Sequence, residues 1–183
     1  MAESGSQRRY HFIIFGASGF TGRFVLEEAA RCAGEAREEL RWAAAGRSRA
    51  RLETALCQAA EALGKPELKA EVDIIVADVD DPESLAAMCK QAVIVLNCVG
   101  PVLWRAGGES VCGERSALCR YQRRTSEAGY VATPIAMVQA AITILNEPDS
   151  LPEKGGVYTP GAAFAKTTLI DRLNKHGIQF SVL

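Results

Sequence analysis

Apolar residues along this chain fall into short unbroken runs that alternate with stripes of helical spacing. Tyr10 to Phe15 is an aromatic and β-branched run, which reads as a buried strand. Behind a glycine-rich turn, Phe24, Val25, Leu26, Ala29 and Ala30 recur with helical spacing to about Ala33. Arg41 to Ala45 reads as a second strand. Leu52, Ala55, Leu56, Ala59, Ala60 and Leu63 form a helical stripe closed by Gly64 and Pro66. Val72 to Ala77 is a third strand, Asp81-Pro82-Glu83-Ser84 opens another helix, and Ala92 to Leu96 is a fourth strand. The order βαβαβαβ with short links predicts an α/β fold with a parallel, doubly wound sheet.

After Pro101 the periodicity stops. Leu103 to Arg124 holds five arginines and no lysine, with neither a strand nor a helix period. The pattern resumes at Pro134 to Leu145, which reads as an amphipathic helix. Gly155 to Tyr158 reads as a short strand or turn, Thr167 to Lys175 as a helix and Ile178 to Leu183 as a closing strand.

Composition narrows the class. Of 183 residues, 48% are hydrophobic and 23% charged, which is incompatible with general disorder. A net charge of -1 removes the basic excess of a dedicated nucleic-acid binder. The longest apolar runs, such as Ala92 to Val99, fall far short of the ~20 residues of a spanning helix. The start, with Arg8 and Arg9, reads as neither signal peptide nor anchor. Taken at face value, this is one soluble domain.

Of six cysteines, four are placed as buried thiols: Cys32, Cys57 and Cys89 in helical stripes and Cys98 at a strand end. That points to a reducing compartment. With no C-x-x-C pair and only His11 and His176, neither a zinc site nor a Ser-His-Asp triad is expected. His11 reads as a satisfied core residue, and His176 as a partner of a helix C-terminus.

The chemistry concentrates in Gly16-Ala17-Ser18-Gly19-Phe20-Thr21-Gly22. Between a strand and a helix, this spacing lets a backbone approach a pyrophosphate. Gly16 makes the tight turn, Gly19 removes a colliding side chain, and Gly22 lets helix and strand pack closely. Ser18 and Thr21 can add hydroxyl donors. The second strand ends in Gly46-Arg47-Ser48, with no acid to hold ribose hydroxyls. Arg47 and Ser48 therefore predict NADP(H) over NAD(H). Asp78 either accepts from an adenine amino group or caps a turn. Asn97 to Pro101, with Asn97 and Gly100 as candidates, should lie beside the nicotinamide half, yet no residue there is a convincing proton donor, and the catalytic group is unknown.

Three segments go beyond a generic fold. Residues 15 to 22 (Phe-Gly-Ala-Ser-Gly-Phe-Thr-Gly), 45 to 48 (Ala-Gly-Arg-Ser) and 96 to 101 (Leu-Asn-Cys-Val-Gly-Pro) together resemble the saccharopine dehydrogenase family. Segments of residues 128 to 134, 156 to 164 and 169 to 177 resemble the C-terminal part of its animal branch. The resemblance implies a Rossmann-like fold and an NAD(P)-dependent oxidoreductase. It further implies relatives on lipid droplets, membranes and mitochondria, some of them enoyl reductases in glycolipid synthesis. Phe20 joins the implied cofactor-binding residues through the motif.

The departure from the family lies between Pro101 and Glu127, where a substrate domain and a membrane-seeking segment are missing. Read one base out of frame from Leu103, permitted codons can yield the family's Cys-Gly-Glu-Pro and Asp-Ile-Ser-Gly segments. The expectation is therefore a dinucleotide-binding half (1–101), an out-of-frame, disordered linker (102–124) and a family tail (125–183). Cys112 and Cys119 would be exposed thiols of that linker. On this reading the chain binds cofactor weakly at best and catalyses nothing alone. The alternatives are a non-catalytic NADP-binding adaptor at a lipid surface, and an unstable isoform without a function of its own.

Overall fold

A computed structural model describes residues 8–33, 40–99, 131–152 and 156–178. Four parallel strands form one sheet: β1 (Tyr10–Phe15), β2 (Trp42–Gly46), β3 (Asp73–Val76) and β4 (Ala92–Asn97). Their spatial order is β3-β2-β1-β4. The chain thus winds outward from β1 to β2 and β3, then returns to pair β4 on the other side of β1.

β1 is central, so both of its faces must be covered. Phe12 and Ile14 point to one face and Ile13 and Phe15 to the other, and all four are buried. Burying one such side chain contributes about 1.5–3 kcal/mol. The first face is packed by α1 (Phe20–Cys32), α2 (Arg49–Leu63) and α5 (Ala132–Asn146). Phe12 also stacks on Trp42 across the neighbouring strand, with ring centroids 5.8 Å apart. The second face is covered by α4 (Pro82–Lys90), chiefly through Met88. A short α3 (Leu68–Glu71) links α2 to β3, and its Leu68 is buried in the first-face core.

Helix ends follow local chemistry. The Ser48 hydroxyl oxygen accepts from the Arg51 amide at the start of α2, and Gly64 ends that helix in the left-handed region. Asp81 caps α4, its carboxylate accepting from the amides of Glu83 and Ser84, with Pro82 in the first turn.

The tail adds a second layer. A 3-10 turn (Pro148–Ser150), α6 (Pro160–Phe164) and α7 (Leu169–Lys175) follow α5. Here the structure corrects the expected amphipathic helix. Every residue from Pro134 to Thr143 is buried, because α5 lies between the sheet core and a small cluster with Leu169 and Leu173. Residues 156–158 form no strand, and Ile178, the described part of the expected closing strand, is in none either. Gly100 and the segment 102–124, with its two cysteines, lie outside the described residues. His11 is half-buried rather than a core residue, and its Nδ1 accepts from the Arg41 amide at 3.0 Å. His176 does sit at the C-terminal end of α7, as expected.

Candidate functional site

The strand order puts the topological switch point at the carboxyl ends of β1 and β4, where open sheets of this kind bind their ligands. Parallel pairing brings every described candidate residue to that one edge. Phe15 is opposite Ala45 on one side and Asn97 on the other, and Gly46 is opposite Val76. The glycine loop, the Arg47 turn, Asp78 and Asn97 therefore share the carboxyl edge of the sheet.

The loop from β1 to α1 is held by backbone. Gly16 has φ +83°, and a Cβ there would stand 2.8 Å from Cγ2 of Val99. Its amide donates to the Ala45 carbonyl at 2.8 Å, and the Ala17 amide to the same oxygen at 3.2 Å. Gly19 is the N-cap of α1 in extended conformation, and no side chain occupies that cap. The first turn carries no acidic residue. First-turn amides of a helix have no intrahelical acceptor, and the helix dipole is positive there. Gly19 is exposed, while Ser18 and Thr21 flank it half-buried. A bare, positively polarised helix start with two hydroxyls beside it fits a pyrophosphate. Gly22 serves packing, because a Cβ there would meet the Gly16 carbonyl oxygen at 2.1 Å. Phe20 is exposed, its ring edge-on to Phe24 at 5.6 Å.

At the end of β2, a Cβ on Gly46 would sit 3.8 Å from the Ser18 hydroxyl oxygen, so the two motifs adjoin. Arg47 is exposed and has no hydrogen-bond or ion-pair partner among the described residues. Its guanidinium fork is uncommitted. Ser48 caps α2 through its oxygen, which leaves the hydroxyl proton available.

Past β3, the two expectations for Asp78 were an adenine acceptor and a turn cap. The structure shows the turn: its Oδ1 accepts from the Asp80 amide at 3.2 Å. Asn97 closes β4 in the same manner, its Oδ1 accepting from the Val99 amide at 3.0 Å. The Cys98 amide continues the ladder to the Phe15 carbonyl at 2.8 Å. Burial pushes the Cys98 thiol up to about 12, so it is protonated and a poor nucleophile at neutral pH.

Sequence reasoning missed a polar network at the other end of α1. Glu28, Cys32 and Gln139 are all buried, and the Glu28 carboxylate pairs with Arg31. Gln139 Nε2 donates to Cys32 Sγ at 3.4 Å, and Arg172 Nε donates to Gln139 Oε1 at 3.0 Å. The i, i+4 spacing of Glu28 and Cys32 was the available signal. Their partners on α5 and α7 are more than a hundred residues away.

Comparison with known proteins bears on the same residues. A family model for the saccharopine dehydrogenase NADP binding domain matches residues 12–109. The mouse saccharopine dehydrogenase-like oxidoreductase is 50% identical over 118 residues, which are 62% of this chain and 27% of that protein. Its human counterpart is 52% identical over the same shares. A lipid droplet localized protein of Caenorhabditis elegans is 43% identical over 103 residues, 56% of this chain and 23% of that protein. The chain thus spans about a quarter of the length of the curated relatives it matches.

Proposed function

Because the chain belongs to the family of saccharopine dehydrogenase NADP-binding domains, we propose that it is the cofactor-holding portion of an NADP(H)-dependent oxidoreductase acting on a lipid-like substrate. The observation that carries this reading is the convergence at the switch point of the β3-β2-β1-β4 sheet. There the uncapped start of α1, the uncommitted Arg47 and the Asn97 turn meet at one edge. The pyrophosphate would rest on the first-turn amides of α1 with Ser18 and Thr21. Arg47 would pair with the 2′-phosphate through its fork, assisted by the Ser48 hydroxyl. Asp78 would keep one carboxylate oxygen for the adenine. Asn97 and Gly100 would border the nicotinamide. When bound, NADP(H) supplies the hydride chemistry, and the chain's part is to hold and orient it. The lipid-like substrate class draws its support from the name of the nematode relative.

A second reading, an NADP-binding adaptor at a lipid surface, is favoured by one observation. The thiol at the nicotinamide end is a weak acid held by burial, and Asn97 beside it has no titratable proton. Loss of NADPH absorbance on adding lipid-like enoyl or imine compounds tests the two. Oxidation supports the enzyme; tight NADPH binding without oxidation supports the adaptor. The reading of 102–124 as out-of-frame sequence joining a family tail stands beside this proposal. Codons that cannot yield the family peptide in the shifted frame would sink it.

A further inference from the structure

The far end of α1 carries a second constellation. Glu28 and Cys32 lie one turn apart on that helix, and His176 ends α7. One ligand atom from each, a carboxylate oxygen, Sγ and a ring nitrogen, all lie within 4.8 Å of one another. Cys32 Sγ is already 3.3 Å from Glu28 Oε1. Two ligands bound to zinc at about 2.3 and 2.0 Å in tetrahedral geometry are about 3.5 Å apart. The pair is therefore spaced for one small ion before anything moves.

The surroundings match a metal site in two further respects. The potential ligands carry partners suited to orient them: Gln139 Nε2 donates to the sulfur, and Arg31 pairs with the carboxylate. Gln139 is itself buried and held by Arg172 from α7. Such outer-shell hydrogen bonds tune and fix metal ligands. One thiolate and one carboxylate offset the two charges of the cation, and the Arg31 guanidinium beside them is more than half exposed, so solvent meets its charge. The Cys32 thiol, which donates to Glu28 Oε1, would lose its proton to solvent as the ion enters, so binding releases one proton.

We propose that Glu28, Cys32 and His176 form a zinc-class divalent metal site, with a water in the fourth position on the half-buried His176 side. It ties the tail helix α7 to the first helix of the nucleotide-binding half. The site sits in the last turns of a 13-residue helix. That is roughly 15 Å from the helix start where the pyrophosphate would bind, at 1.5 Å per residue. It is therefore independent of the cofactor reading.

The test uses the full chain after chelation, titrated with Zn²⁺ and with Co²⁺ as the spectroscopic probe. Expected are one tight equivalent per chain, a raised thermal midpoint, and a thiolate-to-cobalt charge-transfer band. The band should vanish in Cys32→Ser and persist when both Cys112 and Cys119 are changed to Ser. His176→Gln changes a half-buried helix end and should keep the fold, which its thermal transition checks. It should weaken Zn²⁺ binding at least tenfold even if Cys32→Ser fails to fold. No charge-transfer band in the native chain, or unchanged affinity in His176→Gln, would overturn the site.

Discussion

A Cβ on Gly22 would stand 2.1 Å from the carbonyl oxygen of Gly16, so α1 meets the loop before it backbone against backbone. This contact fixes where the helix start points. Gly22→Ala can be accommodated only by moving one of the two backbones, and should cost about 3 kcal/mol despite alanine's better helix propensity. A fall in the denaturation midpoint with unchanged slope is the expected result.

Gly19 is the contrasting position. A Cβ there meets only the Gly16 carbonyl oxygen, at 3.1 Å, and the residue is exposed. Gly19→Val should therefore fold, at a cost of about 1 kcal/mol from the changed helix cap. It should nonetheless lose the rise in thermal midpoint that NADPH gives the native chain, because ligand linkage requires a site that binds. Differential scanning with and without NADPH reads both effects.

Asp81 separates stability from binding. Its carboxylate accepts from two first-turn amides of α4, on the sheet face away from α1. Asp81→Ala should destabilise the chain by about 1 kcal/mol. NADPH affinity, measured by fluorescence titration below the unfolding range, should stay within twofold of native.

Cys98 gives a pH prediction. Its folded value near 12 is above the ordinary 9.0, so the folded state holds the proton more tightly. The stabilisation is whole below 9.0 and is lost as pH rises toward 12. In the folded chain at about pH 8, alkylation mapped by peptide mass should leave Cys98 unmodified, whereas the unfolded chain reacts. Rapid modification of Cys98 in the native state would contradict the burial argument.

Much of the nucleotide-binding half was legible in sequence because each local signal agreed with the global fold. β1 matches its apolar run from Tyr10 to Phe15, and Pro82 and Gly64 mark helix ends where their backbone geometry requires. The motif glycines were also readable, since close approach and a left-handed turn leave few other residues possible. α5 was misread as amphipathic because its outer face is covered by α7, a partner that no local period reveals. The Asx turns of Asp78 and Asn97 depend on which backbone amide lies within reach, and sequence leaves that open. Of the Glu28–Cys32–His176 cluster only the i, i+4 pair shows in the sequence, because His176 joins it through tertiary docking of α7.

The proposed site at the carboxyl edge of the sheet takes NADP(H), with Arg47 reading the 2′-phosphate. The most direct measurement is the dissociation constant of NADPH and of NADH for the native chain and for Arg47→Ala. A charge-assisted pair at an exposed site is worth about 1.5 kcal/mol here, roughly tenfold in affinity. The expected result is tighter binding of NADPH than NADH by the native chain, with Arg47→Ala weakening NADPH about tenfold and leaving NADH unchanged. Equal losses for both nucleotides, or tighter native binding of NADH, would contradict the account.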